Sequence, residues 1–228
     1  MSGPRQALGY VRRYRAALAE AGRMRALPAA MQFDAAFAVA QQIGVTQKED
    51  EIRWLFELVR ADAPTTVLEI GLDEGGTLFL WTRAAAPDAH LVAIDTRPMG
   101  RLGLRSPFPL VRRSFARDAQ HVDLVMPADS HARSTSERIQ ALLGTRRLDF
   151  LFIDGDHTRD GVWQDFHTYG SFVRPGGLIA FHDVSQRSTS ATEGVARFWR
   201  EFTAEHATDE RVVGKEPGFG IGVYRVPE

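Results

Sequence analysis

The chain contains no cysteine. Disulfide bracing, thiolate nucleophiles and cysteine-ligated metal sites are therefore excluded. The absence suits a reducing compartment, and we expect a cytoplasmic protein. Lysine is nearly absent too: Lys48 and Lys215 are the only two, so arginine supplies almost all of the 28 basic residues. These are balanced by 29 acidic residues, leaving a formal charge of -1. Such a balance gives no electrostatic reason to expect nucleic acid or an anionic membrane surface as a partner. No apolar run approaches the roughly 20 residues needed to span a bilayer. There is no internal repeat and no low-complexity tract. What is present is an ordinary globular composition, 44% hydrophobic and 25% charged over 228 residues. That is enough for one domain with a full core, or one domain and an appendage.

Residues 1 to about 45 read as helical, rich in Arg and Ala, and broken at Pro28. We expect an N-terminal helical extension over 1–45, covering a sheet or forming the seam of a homo-oligomer, ahead of a main domain over 46–228. A helix follows from about Lys48 to Arg60, with Ile52, Leu55, Phe56 and Val59 on one face. Pro64 stops it. From there strand and helix patterns alternate. Strands are expected at Thr66–Ile70, Leu91–Asp95, Val122–Met126, Leu148–Asp154 and Gly177–His182, with helices at about 77–86, 134–143, 158–172 and 191–205. Phe150, Leu151, Phe152 and Ile153 are apolar without alternation, as in a strand buried on both faces. Arg211–Val213 and Gly220–Val226 read as an antiparallel hairpin around Pro217-Gly218. The expectation is an α/β, Rossmann-like, doubly wound and mostly parallel seven-stranded sheet with a C-terminal antiparallel hairpin.

The stretch Glu69-Ile70-Gly71-Leu72-Asp73-Glu74-Gly75-Gly76-Thr77 joins the first strand to a helix. In open α/β sheets ligands bind beyond the carboxyl ends of the strands, so this turn should face one. The dinucleotide fingerprint places a glycine in the middle of the turn, where a pyrophosphate approaches the backbone. Here that position is Asp73, whose carboxylate disfavours a diphosphate. A donor without phosphate and with a cationic end fits better, and S-adenosylmethionine (SAM) is such a molecule. Asp95 ends the second strand 24 residues after Gly71. Folds of this kind use a carboxylate there for a ribose hydroxyl pair.

Chemistry is densest at Asp154-Gly155-Asp156-His157 and at Phe181-His182-Asp183. Both lie at expected strand ends, and neighbouring parallel strands bring Asp154, His182 and Asp183 together. Converging carboxylates repel and call for a cation, such as a divalent metal. A bound metal acidifies a hydroxyl, and a positioned base such as His157 then takes its proton. An imidazole among the ligands suits Mn²⁺, Fe²⁺ or Zn²⁺ better than Mg²⁺. Two loops stand out. Residues 97–117 carry Arg97, Arg101, Arg105, Arg112, Arg113 and Arg117, which either face solvent or read an anionic group. Residues 184–193 are small and polar and suit a lid.

Glu69-Ile70-Gly71 with Gly75-Gly76-Thr77 resembles motif I of class I SAM-dependent methyltransferases. Leu148–His157, Val173-Arg174-Pro175-Gly176-Gly177, Phe181–Val184, Gly194-Val195 and Phe198-Trp199 extend this to a resemblance to methyltransferase family 24. That group is similar to cephalosporin hydroxylase-like and macrolide sugar O-methyltransferases. The resemblance covers roughly residues 45–226. It implies a SAM-dependent O-methyltransferase acting on a small hydroxylated acceptor, with or without Mg or another divalent metal. It further implies Glu69, Gly71 and Gly75 at the methionine end of SAM, Gly76 and Thr77 among the cofactor-binding residues, and Asp95 at the ribose. Asp129 and Ser130 fall at adenine, Asp154 and Asp183 at the metal, and His157 in the role of general base. His182 stands where the macrolide enzymes have an acid. Two other readings stay open: a metal-dependent glycosyltransferase using Asp154 and Asp156 as its carboxylate pair, and a non-catalytic partner subunit with a SAM fold. A nicotinamide oxidoreductase is a more distant fourth.

Overall fold

In a computed structural model the chain is described over residues 4–97, 108–117, 119–213 and 217–228. Arg101, Arg105 and Lys215 lie outside these residues. Three helices come first: α1 (Pro4–Arg25), α2 (Phe33–Ile43) and α3 (Glu49–Asp62). Then follow β1 (Thr66–Ile70), α4 (Gly76–Ala84), β2 (His90–Ile94), α5 (Phe108–Arg113), β3 (His121–Val125), α6 (Arg133–Leu143), β4 (Leu148–Ile153), α7 (Arg159–Gly170), β5 (Val173–His182), α8 (Glu193–Thr203), β6 (Thr208–Arg211) and β7 (Ile221–Arg225). The strands form one seven-stranded sheet in the order β3-β2-β1-β4-β5-β7-β6. β1 to β5 are parallel, and β7 is antiparallel to both β5 and β6.

Residue alternation along the strands feeds two cores. Val67, Leu91, Phe150 and Phe152 face α2 to α5, while Leu68, Ile70, Leu151 and Phe181 face α6 to α8. Every residue of β1 and β2 is buried, as expected of strands covered on both faces. Trp81 of α4 is wholly buried, its ring centroid 5.1 Å from Phe150 and 5.4 Å from Phe152. Asp149 ties the start of β4 to the start of β1 by accepting from the Thr65 and Thr66 backbone N–H groups, and its other oxygen takes Arg174. α1 packs on α5 through a face that buries Ala17, Ala21 and Met24. No described helix is long and apolar enough to cross a membrane.

Two local expectations change. The last hairpin begins earlier than its apolar residues suggest: β6 is the polar run Thr208–Arg211, and Val212 is exposed. An edge strand needs no buried face, and charge along it discourages further pairing. Within the arginine-rich segment, residues 108–113 form the short helix α5 rather than loop, because Val111 is buried against the core around Phe79 and Phe115.

Candidate active site

The strand order reverses between β1 and β4, and the site lies at that switch point. Gly71 follows β1 with φ +89; a Cβ there would lie 2.0 Å from the Asp154 carbonyl oxygen. Only glycine lets the end of β4 close on the end of β1, where Asp154 N–H donates to Ile70 O at 2.8 Å. The turn beyond Gly71 is held by Asp95: its Oδ2 accepts from Leu72 and Asp73 N–H at 2.9 Å each, and Oδ1 accepts from Arg97 N–H at 2.5 Å. Arg97 reaches back to Asp73 Oδ1 (2.6 Å) and Glu74 Oε1 (2.8 Å), and Arg112 donates to Glu74 Oε2 at 3.1 Å. Arg117 donates to the Thr82 and Ala85 carbonyls at the end of α4. These three arginines are thus engaged within the protein.

A cavity of about 880 Å³ opens over these strand ends, and Gly71, Asp95, Asp129, Ser130, Asp154 and His157 are among its lining. Glu69, Gly75, Gly76 and Thr77 do not line it. Glu69 is fully buried beneath the turn, and Thr77 Oγ1 donates to its Oε1. Burial pushes the Glu69 pKa well up, which the bond from Thr77 only partly offsets. Gly75 caps α4 at φ +86, and Gly76 packs against the Gly44 carbonyl. On the far side of the cavity Asp129 Oδ1 accepts from His131 N–H at 2.9 Å, and Tyr169 Oη–H donates to Ser130 O at 2.7 Å. Beneath this segment lies Asp165, wholly buried, with neither oxygen in a well-formed hydrogen bond. Its burial raises its pKa to about 6, which the nearby Ser130 and His131 only partly offset. His131 Nε2 is 3.4 Å from Asp165 Oδ1.

At the ends of β4 and β5, acids and imidazoles converge. His157 Nε2 lies 3.7 Å from Asp154 Oδ1 and 3.6 Å from Asp183 Oδ2. His182 Nδ1 lies 3.1 Å from Asp154 Oδ1 and 3.6 Å from Asp183 Oδ1. Asp154 holds the His157 imidazole above its ordinary pKa, against burial. Burial works against charge on His182, but Asp154, Glu51 and Asp183 outweigh it and raise its pKa to about 10. Asp183 has φ +62 and accepts from Phe219 N–H at 3.0 Å. A second cavity of about 410 Å³ lies beyond His157, lined by Thr158, Arg159, Glu193 and Arg197 with Ser190 and Ala191 of the 184–193 loop. His157 and Asp156 line both cavities.

A sequence profile for the methyltransferase-domain family Methyltransf_24 matches residues 68–184, about half the chain. The chain belongs to methyltransferase family 24. Protein R132 of Acanthamoeba polyphaga mimivirus, uncharacterised, is 32% identical over 123 residues, covering 52% of this chain. The aligned stretch spans 51% of that viral protein, about half its length. Solved structures share the fold. The O-methyltransferase TomG of Streptomyces achromogenes, involved in tomaymycin synthesis and solved with SAM, superposes with a TM-score of 0.58 at 19% identity, over 85% of this chain and 90% of TomG. An O-methyltransferase from Bacillus cereus, solved with S-adenosylhomocysteine, gives 0.56 at 18%, over 88% of this chain and 93% of that one. CalS11, a TDP-rhamnose 3'-O-methyltransferase of calicheamicin biosynthesis, gives 0.55 at 16%, over 75% of this chain and 76% of CalS11.

Whether this family member's donors fit a divalent ion is a question of chemistry. Asp154, His182 and Asp183 offer ligand atoms within 4.8 Å of one another. One nitrogen and two carboxylates suit an ion that accepts mixed ligands. The surrounding carboxylates favour a proton on His182, so an entering ion would compete with that proton for the ring nitrogen. A second group, His90, His121 and Asp123, sits at the amino ends of β2 and β3. There Arg146 donates to His90 Nδ1 at 2.8 Å, which puts the ring proton on Nε2, aimed at Asp123 at 2.9 Å. His90 then has no lone pair to offer, and the group is a structural network.

Two pocket residues escape sequence reasoning. Gln47 Nε2 donates to Asp154 Oδ2 at 2.7 Å, and Glu51 Oε1 faces His182 Nε2 at 3.3 Å. For Glu51 a signal was present: it precedes Leu55 and Val59 at four-residue spacing, on the apolar face of α3. Asp165 is readable in the same way, between Val162 and Tyr169 on the buried face of α7.

Proposed function

We propose that the chain is a SAM-dependent O-methyltransferase. Its acceptor is a hydroxyl of a small metabolite, a sugar or another natural product, and a divalent ion assists. In this reading residues 46–228 form the catalytic domain and residues 1–45 extend it. The observation that carries the proposal is the position of His157, in the wall between a donor-sized cavity and a smaller polar one, within 3.7 Å of Asp154 and Asp183. TomG and CalS11, similar in fold, act in small-molecule biosynthesis.

Gly71, Asp95, Asp129 and Ser130 would hold SAM along the larger cavity. The described cations nearest the turn favour SAM over a dinucleotide: Arg97 is taken by Asp73 and Glu74 and is not free for a pyrophosphate. The acceptor hydroxyl would enter from the smaller cavity and give its proton to His157 Nε2. The oxygen then forms its bond to the methyl carbon as the carbon–sulfur bond breaks, leaving S-adenosylhomocysteine and a methyl ether. An ion held by Asp154, His182 and Asp183 would supply Lewis acidity that makes the hydroxyl easier to deprotonate. Asp154 and Asp183 stabilise the imidazolium formed on His157.

The glycosyltransferase reading needs Asp154 and Asp156 to act as a pair. Asp156 Oδ1 instead accepts from Thr158 N–H at 2.8 Å, at the start of α7. The test is His157→Ala. It should lower kcat by about 10²–10⁴ while leaving SAM affinity unchanged by calorimetry. A wild-type protein that takes up no SAM at millimolar concentration rejects the proposal.

A further inference from the structure

Glu51 reaches the acid-and-imidazole pocket from α3 and faces His182 there. Its carboxylate is wholly buried. Oε2 accepts from Gly220 N–H at 2.7 Å. Oε1 accepts from Lys48 N–H at 2.8 Å and faces His182 Nε2 at 3.3 Å. A carboxylate facing Nε2 favours a hydrogen on that nitrogen. With the Nε2 hydrogen directed at Glu51, Nδ1 turns toward Asp154 Oδ1 and Asp183 Oδ1, 3.1 and 3.6 Å away. A ring that donates one N–H to a carboxylate and presents its second nitrogen to a cluster of oxygen donors is oriented as metal-bound histidines are.

We propose that Glu51 is a positioning residue for a mixed nitrogen–oxygen divalent-ion site, and that through His182 it makes this site prefer Mn²⁺ to Mg²⁺. The inference rests on the reading of the pocket given under Proposed function. The donor set supports it: Mg²⁺ takes oxygen ligands in near-octahedral array, whereas Mn²⁺ accepts an imidazole more readily. Outer carboxylates of this kind fix the tautomer and raise the basicity of the ligating nitrogen, and removing one typically costs about 10–100-fold in metal affinity. A purely structural Glu51 would cap α3 and anchor Gly220. Glutamine has one acceptor oxygen and gives up one of those two backbone bonds, so Tm reports the structural role while Mn²⁺ affinity at unchanged SAM affinity reports the positioning role.

The experiment titrates metal-stripped protein with MnCl₂ and with MgCl₂ by calorimetry, for wild type, Glu51→Gln and Glu51→Asp. Every sample is also titrated with SAM and melted. Wild type should bind Mn²⁺ at least about tenfold more tightly than Mg²⁺. Glu51→Gln should lose about 10–100-fold in Mn²⁺ affinity with SAM affinity retained, and its Tm should fall for the one buried backbone N–H left without an acceptor. Pulsed electron paramagnetic resonance on bound Mn²⁺ should show nitrogen coupling in wild type that disappears in His182→Asp. Should Glu51→Gln not fold, Glu51→Asp, which keeps the charge but withdraws it from His182, must show the affinity loss. A folded Glu51→Gln that binds Mn²⁺ as wild type does overturns the inference. So does a wild type that takes up no Mn²⁺ or prefers Mg²⁺. In those cases, SAM binding by the same wild-type samples leaves the methyl-transfer reading standing, and its absence rejects that reading separately.

Discussion

Gly194 opens α8, and its neighbour across the gap is the segment that carries His157. A Cβ at 194 would lie 2.4 Å from the His157 carbonyl oxygen, 2.5 Å from Arg159 N and 2.8 Å from the Thr158 carbonyl carbon. Ordinary carbon contacts begin near 3.4 Å, so Gly194→Ala requires one of the two segments to retreat by about 1 Å. All three obstructing atoms are backbone, so no side-chain rotation relieves the contact. Residue 194 is helical, and alanine is otherwise favoured there by about 1 kcal/mol. The whole effect must therefore come from displacement. Overpacking of this size destabilises by about 1–3 kcal/mol. A shift of about 1 Å at a reacting group lowers the rate by about 10²-fold, equivalent to about 2.7 kcal/mol of barrier. The assay is kcat with the acceptor, beside SAM affinity and Tm on the same preparation. The expected result is a large fall in kcat with SAM affinity retained, because Gly71 and Asp95 lie on other strand ends. Gly22→Ala, in α1 with nothing within 4 Å of the new Cβ, is the control and should leave kcat unchanged. An active Gly194→Ala enzyme would refute the claim that α8 holds the His157 segment in place.

Asp165 supplies a pH dependence. Its pKa rises from the ordinary 3.8 to about 6 on folding, so between these values the native state holds more protons than the unfolded chain. Stability from this group therefore falls as pH rises through that window, by roughly 3 kcal/mol in all. Asp165→Asn should raise Tm at about pH 8 and leave it near wild type at about pH 4; a lower Tm at the higher pH contradicts the burial account. Arg117→Ala removes its bonds to the Thr82 and Ala85 carbonyls at the end of α4, leaving Gln120 Nε2 on Thr82 O, and should lower stability by about 1–3 kcal/mol in urea melts. Trp81→Ala removes a wholly buried ring from between Phe150 and Phe152, and a loss of about 3–5 kcal/mol is expected by the same measurement.

Much of the framework is legible in short windows of sequence. Runs such as Leu68–Ile70 and Phe150–Ile153, and the turn from Gly71 to Thr77, are local patterns of period and turn chemistry, and they fall in β1, β4 and the entry to α4. Strand order then follows from general rules of α/β connection, which is why Asp154 and His182 were expected to meet. The partners of the charged groups are a different matter. Arg97 finds Asp73 and Glu74 rather than solvent or an anion, and Glu69 ends buried under the turn with its pKa pushed up. Gln47 and Glu51 enter the pocket across separations of 107 and 131 residues, to Asp154 and His182. Hydrophobic periodicity records which face of a helix is buried, but not what it is buried against. That choice is made by packing, where a carboxylate desolvated on one element is stabilised only by whatever donor another element brings within about 3 Å.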